Sequence, residues 1–196
     1  MLYFTIGLPR SGKSTVCNQW VKHGFNIWDN QIQPKQHTIC GHVHISSDMN
    51  PRVVICSDDI RIALHGCRWS SVAEEQVSAI QGTMIRAMLN KGYDVLVDGT
   101  HTTKQSIERM FKFNPDAQFV YFNTSSDLCK QRAMATQQDY LCQIIDRMKS
   151  NLSALVSVHC GYNSSFVDDP EFIDVLTRRI AQIKKDTVHY DNKTVL

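Results

Sequence analysis

Residues Phe4 to Trp20 read FTIGLPRSGKSTVCNQW, in which Gly7 is followed, after four residues, by Gly12-Lys13-Ser14. The apolar run Leu2 to Ile6 precedes this loop, and a helical pattern with Val16, Cys17, Trp20 and Val21 on its inner face follows it. A strand, a glycine-rich turn and a helix N-terminus in that order form an anion cradle. Backbone N–H groups converge on the anion and the helix dipole adds to the attraction. Gly7 and Gly12 let the backbone curl closely, Lys13 reaches the β- and γ-phosphates, and the Ser14 hydroxyl ligates Mg²⁺. The expected nucleotide-binding set is Gly7, Arg10, Ser11, Gly12, Lys13, Ser14 and Thr15, with ATP and Mg²⁺ as the ligands.

Past the loop, strand and helix patterns alternate. Val53 to Cys56 reads as a strand, and a helix starts around Asp58. A long helix is predicted from Ser71, with Ser71 and Glu74 as a capping box, Val77, Ile80, Met84 and Met88 inward, and Gly92 as its stop. DVLVDGT is the next buried strand, and Thr102 with Gln105 caps a helix that buries Ile107, Met110 and Phe111. AQFVYFNT is a further strand, followed by a helix opened by Ser125 or Ser126 and running through Arg132. This alternation predicts an α/β fold, with a parallel sheet of about four to five strands flanked by helices. Near-continuous apolar strands such as RVVIC and DVLV suit a sheet covered on both faces.

Two further helices follow. Asp139 caps one that carries Leu141, Ile144, Ile145, Met148, Leu152 and Leu155 on one face. Asp169-Pro170 opens the last, with Ile173, Leu176, Ile180 and Ile183 inward. Their apolar faces either cover the sheet or make an oligomer contact. Residues 29–51 are polar, rich in Gln, His and Ser, and read as a surface insertion with a hairpin through Thr38 to Ile45. Cys40, His42 and His44 lie close together there. A zinc site needs a fourth ligand in a fixed frame, and no second cluster supplies one, so the group reads as polar surface.

The 196 residues, 42% hydrophobic and 20% charged, suffice for one domain with a real core. A net charge of +2 argues against a nucleic-acid coat or membrane-surface protein, so any basic patch must be local. The seven cysteines include no Cys-x-x-Cys pair and read as reduced thiols, which with the lack of a signal-peptide pattern predicts a cytoplasmic protein. No stretch is long and apolar enough to span a bilayer.

VICSDDIR delivers Ser57, Asp58 and Asp59 to the C-terminal edge of the sheet, where ligands of open α/β folds bind. Asp58 can act as a general base toward an attacking hydroxyl, or simply cap the helix. Arg61, three residues on, shares its helix face and can hold an acceptor's phosphate with a fork of donors. Asp98 ends a buried strand, where a carboxylate either holds a Mg²⁺-bound water and orients the loops near the γ-phosphate, or caps a turn. Leu96 occupies the position at which Asp-x-Asp-Gly-Thr phosphatases carry their nucleophile, and no Asn-Lys-x-Asp guanine reader is present. Lys130, Arg132, Arg147 and Lys149 are candidate lid cations, with Arg132 the best placed.

GLPRSGKST, SDDIR and DGTH, in this order over about the first 135 residues, resemble the 5′-polynucleotide kinase family. The likeness is to the kinase domain of phage and bacterial end-healing enzymes, within a wider group of small P-loop kinases that includes zeta-toxin-like and metabolite kinases. The resemblance implies a P-loop kinase fold over residues 1–155, with 156–196 as a helical extension packed on it. It implies transfer of the γ-phosphate of ATP to the 5′-hydroxyl of a nucleic acid. Asp58 is then the general base, Arg61 the contact to the acceptor's neighbouring phosphate, Lys13 and Ser14 the grip on donor phosphates and metal, and Arg132 the lid arginine. Asp98 and Thr100 join Arg61 on the substrate side. A small-molecule kinase, for a nucleotide or metabolite, would use the same residues, and an NTP-binding regulator or toxin component is the alternative outside catalysis. The chain departs from the family pattern at His101, where an asparagine is usual, at Thr136, where a second basic lid residue is common, and in the insertion.

Overall fold

The computed structural model describes residues 1–23, 39–40, 50–66, 73–160 and 170–191. Five strands, β1 (Leu2–Gly7), β2 (Ile39–Cys40), β3 (Arg52–Cys56), β4 (Asp94–Asp98) and β5 (Gln118–Phe122), form one sheet in the order β2-β5-β1-β4-β3. Four run parallel, while β2 pairs antiparallel with β5. Seven helices surround them among the described residues: α1 (Lys13–His23), α2 (Ser57–His65), α3 (Glu74–Asn90), α4 (Lys104–Phe113), α5 (Ser126–Ala135), α6 (Leu141–Cys160) and α7 (Pro170–Asp191). The α/β architecture expected from the alternating pattern is therefore present. Beyond β2 and the two residues before β3, the 29–51 insertion, with His42 and His44, lies outside the described residues.

The alternation of side chains along β1 splits the core in two. Leu2, Phe4 and Ile6 face α2, α3, α4, α6 and α7, in a cluster with Ile55, Val77, Ile107, Leu152 and Phe172. Tyr3 points the other way and packs with Val16, Cys17, Trp20, Leu96, Val120 and Phe122 under α1. Each fully buried aromatic or aliphatic side chain contributes about 1.5–3 kcal/mol, so both faces hold the sheet rigid. Residue 155 lies inside α6, so that helix spans the boundary expected there. On α7, Ile173, Leu176, Ile180 and Ile183 are buried in the first cluster.

Four local expectations need correction. Val21 is 40% exposed, because α1 presents only the narrow row Val16, Cys17 and Trp20 to the sheet. On α3 the buried row is Val77, Gln81, Gly82 and Ile85, while Ile80 and Met84 are exposed. A polar residue, Gln81, takes the inward position because its amide donates to Ser57 Oγ at 2.7 Å. The α3 capping position belongs to Ala73, which has no side-chain cap; Ser71 lies outside the described residues. At α4 the reciprocal cap is Thr103 with Ser106, one residue later than expected, since Thr102 is buried. Gly92 does end α3, with φ +79 and the Tyr93 N–H returning to the Met88 carbonyl.

The register of the sheet sets the stage for chemistry. Gly7 pairs with Phe122, and Cys56 with Asp98, so four parallel strands end along one edge. The P-loop, Ser57-Asp58 and Asp98-Gly99-Thr100 all emerge there.

Candidate active site

Gly7 leaves β1 with φ +157, and a Cβ on it would sit 2.9 Å from the Phe122 Cβ. Only glycine allows the loop to cross the end of β5 this closely. The turn is stitched from both sides. The Gly7 N–H donates to the Thr100 carbonyl at 3.0 Å, and the Thr124 hydroxyl donates to the Ser11 carbonyl at 3.0 Å. Buried Thr5 donates its hydroxyl to the Gly99 carbonyl at 2.7 Å and accepts the Gly99 N–H at 3.0 Å.

Lys13 is buried beneath this turn and curls back into it. Its ammonium donates to the carbonyls of Leu8 at 2.6 Å and Gly7 at 3.2 Å, and to Ser11 Oγ at 3.2 Å. Burial lowers its pKa, and the charge of Asp98 opposes that most strongly. Acceptors of its own loop thus hold the cation inside the turn.

Ser14 and Asp98 meet directly, with Ser14 Oγ donating to Asp98 Oδ2 at 2.7 Å. Burial raises the Asp98 pKa, while the Ser14 hydrogen bond and the Lys13 charge oppose the rise. A desolvated carboxylate beside a hydroxyl is a pair of hard oxygen donors, the chemistry Mg²⁺ takes from protein. The residues fit the metal. This places Asp98 against Ser14, the hydroxyl expected on the metal, whereas the sequence left Asp98 open between a metal-water role and a turn, and the resemblance set it on the substrate side. Thr100 enters the site through its carbonyl, which accepts the Gly7 N–H.

Asp58 stands in the first turn of α2, two residues after Cys56, which pairs with Asp98. Its charge is felt at both Lys13 and Asp98. Arg61 donates to Asp58 Oδ1 at 2.5 Å, so the pair expected on one helix face is in contact. The rest of the Arg61 fork goes elsewhere: Nε and Nη2 clamp Glu74 at 2.6 and 2.7 Å. Glu74's hydrogen bonds raise the Arg61 pKa and Arg61's lower that of Glu74. Glu74 was missed as a site residue, because the Ser-x-x-Glu pattern assigns its carboxylate to a helix cap.

Arg132 reaches the P-loop, donating from Nη1 to the Arg10 carbonyl at 3.1 Å. Arg10 in turn donates to Thr136 Oγ1 at 2.9 Å and to Gln138 Oε1, so the turn between α5 and α6 is tied to the loop. Of the other lid candidates, Lys130 pairs with Asp146 and Lys149 donates to Ser126. His101, noted from the sequence only as a departure from the family pattern, bonds Thr5 O through Nδ1 at 2.7 Å and packs edge-on against Phe4. Burial pushes its pKa down to about 4, so the ring is neutral and Nδ1 carries the proton.

A glycine loop on a parallel sheet, a serine–aspartate pair beneath it and a second carboxylate on the same edge define a kinase-type P-loop nucleotide-binding domain. The sequence places it further: a family model described as an AAA domain matches residues 2–155, and the chain belongs to that family. No curated protein sequence matches it. Among solved structures, it is similar to a chain of the Pnkp1/Rnl/Hen1 complex, 21% identical with a TM-score of 0.50, covering 67% of this chain and 38% of that one. A chain of the Pnkp1/Rnl/Hen1 RNA repair complex gives 17% and 0.49, over 74% and 45%. A gluconokinase from Sinorhizobium meliloti 1021 gives 13% and 0.46, over 96% of both chains. The chain therefore spans less than half the length of the Pnkp1/Rnl/Hen1 chains it matches. No helix among the described residues is long and apolar enough to cross a membrane.

Proposed function

We propose that this protein is an ATP-dependent kinase that transfers the γ-phosphate to the 5′-hydroxyl of a polynucleotide. The observation that carries the reading is the convergence of Lys13, the Ser14–Asp98 pair and Asp58 at one sheet edge. The GLPRSGKST, SDDIR and DGTH stretches and the fold likeness to a Pnkp1/Rnl/Hen1 chain accord with the polynucleotide acceptor.

The donor's triphosphate is held by the loop N–H groups of Arg10 and of Gly12 to Thr15, with the Lys13 ammonium released from its own carbonyls onto the β- and γ-oxygens. Ser14 and Asp98 would hold Mg²⁺, which when bound neutralises charge on the β- and γ-phosphates. Asp58 accepts the proton of the acceptor hydroxyl as its oxygen bonds to the γ-phosphorus. The bond from that phosphorus to the β,γ-bridging oxygen breaks, and ADP leaves. Arg61 holds the Asp58 carboxylate in place and is itself fixed by Glu74. Arg132 supplies positive charge to the phosphoryl group from the lid side, where a preformed donor needs no reorganisation.

The test is to incubate the protein with labelled ATP, Mg²⁺ and a panel of 5′-hydroxyl oligonucleotides, nucleosides and sugars. Label transfer to the oligonucleotides supports the proposal. Transfer only to a nucleoside or sugar replaces it with the small-molecule reading, and nucleotide binding without any transfer replaces it with a regulatory one.

A further inference from the structure

The acceptor's backbone charge needs a partner, and Arg61 is largely committed. Glu74 takes two of its donors and Asp58 a third. Glu74 also begins a row along α3, in which residues four apart lie one above another: Glu74, Ser78, Gly82 and Arg86. Each step carries the row about 6 Å further from the catalytic edge.

Arg109 of α4 meets this row at Ser78. It donates from Nη1 to Ser78 Oγ at 3.0 Å and from Nη2 to the Ser78 carbonyl at 2.6 Å. Its guanidinium lies 5.7 Å from the centre of the Phe113 ring, and that of Arg86 lies 5.5 Å from the same ring. Gly82 makes the assembly possible, since a Cβ there would sit 3.1 Å from the Phe113 ring and 3.7 Å from Arg86 Nη1. Two cations therefore share one aromatic ring between the helices. Neither makes an ion pair among the described residues, while the neighbouring Glu108 is taken by Lys104. The two charges repel, and the field of Arg109 extends to His101 in the Asp98–His101 loop at the catalytic edge. A pair of guanidiniums that no described carboxylate neutralises, stepped away from the acceptor base, is complementary to a chain of phosphates and not to a small neutral alcohol.

We infer that Arg109 and Arg86, braced on Phe113, form a phosphate-binding track that holds the acceptor strand downstream of its 5′ end. This rests on the polynucleotide reading above and adds the path of the strand, along the face where α3 and α4 meet.

The test uses fluorescein-labelled single-stranded 5′-hydroxyl oligonucleotides of two, six and twelve nucleotides, and reads equilibrium anisotropy over a series of salt concentrations without ATP. Arg86 is exposed, so Arg86→Ala will fold, and a melting curve confirms it; Arg109→Lys and Arg109→Ala provide the second position. For the twelve-mer, each alanine variant is expected to bind several-fold more weakly, with the salt slope reduced by about one for the lost cation. The dimer's affinity and the KM for ATP stay at the wild-type values. Arg109→Lys falls between wild type and alanine. Unchanged twelve-mer binding in Arg86→Ala and Arg109→Ala, with oligonucleotides still phosphorylated, removes the track and leaves the proposed activity standing. If no oligonucleotide of any length is bound or phosphorylated by the wild type, both fall together.

Discussion

Arg61 and Glu74 form a two-point contact, Nε to Oε1 at 2.6 Å and Nη2 to Oε2 at 2.7 Å, linking α2 to α3 at the catalytic edge. The fork geometry leaves a third donor aimed at Asp58. Glu74→Ala frees the guanidinium to swing and loosens the carboxylate it holds. We expect kcat to fall by about tenfold or more, with the KM for ATP unchanged and Glu74→Asp partly restoring the rate. Arg61→Lys should lose as much as Arg61→Ala, because an ammonium cannot reproduce the fork. A split of kcat from KM in steady-state kinetics is the readout, and an equal rise in the KM for ATP would oppose it.

Asp58→Asn keeps the side chain's shape and removes its basicity. Loss of a general base costs on the order of 10²–10⁴ in rate. Transfer to an oligonucleotide should fall by that factor while a fluorescent ATP analogue binds as before. An undiminished rate would show that the proton leaves by another route.

Asp98 sets activity against stability. Burial lifts its pKa above the ordinary carboxylate value, so the folded state binds its proton more readily than the unfolded chain does. Its ionisation therefore opposes folding, and the loss grows as pH rises through the range between the two values. Asn at this position can still accept the Ser14 hydroxyl hydrogen bond but carries no charge. Asp98→Asn should thus melt at a higher temperature than wild type at neutral pH without Mg²⁺. It should lose the Mg²⁺-dependent rise in melting temperature expected of the wild type with ATP, and transfer should fall at least 10²-fold. A melting temperature below that of the wild type would contradict the electrostatic argument.

His101 gives the opposite sign. Its folded pKa of about 4 lies below the ordinary 6.5, so the unfolded state binds the proton first as pH falls. The stability it contributes is complete above pH 6.5 and is lost as pH falls from there through 4, by roughly 3 kcal/mol at most. Urea unfolding of wild type and His101→Asn at pH 7, 6 and 5 separates this from other titrations. The difference between the two proteins should shift steadily in favour of the variant as pH falls, and a constant difference would reject the assignment.

Much of this architecture is legible in the chain because it is encoded locally. The P-loop and the helix that opens at Lys13 occupy one continuous stretch, and apolar runs such as Val95 to Val97 carry their own period. What escapes the sequence joins distant positions. Ser14 and Asp98 are 84 residues apart, so spacing alone left Asp98 open between a metal role, a substrate role and a turn. Glu74 lies 13 residues from Arg61, and a local capping pattern explained it well enough to hide its tertiary partner. Hydropathy alone put Ile80 and Met84 inside α3, whereas the hydrogen bond to Ser57 makes Gln81 the buried residue. His101 stood out only as a departure from the family pattern, because nothing nearby in sequence shows that Thr5 and Phe4 enclose its ring.

Arg10 joins strain to function in a way that substitution can separate. Its φ is +64, a left-handed conformation that costs a non-glycine residue roughly 1 kcal/mol. Its side chain ties the loop to Thr136 and Gln138, each a net contribution of about 1 kcal/mol or less at this exposed position. Arg10→Ala removes the ties and keeps the strain, while Arg10→Gly removes both. Urea unfolding should therefore rank wild type and Arg10→Gly close together, with Arg10→Ala lower by about 1 kcal/mol. Nucleotide affinity should follow the side chain instead of the strain. Both variants lose the contact that couples the α5–α6 turn to the loop, so both should bind ATP more weakly by a similar factor, measured by titration calorimetry. If Arg10→Ala binds ATP as tightly as wild type, the side-chain ties have no part in holding the nucleotide.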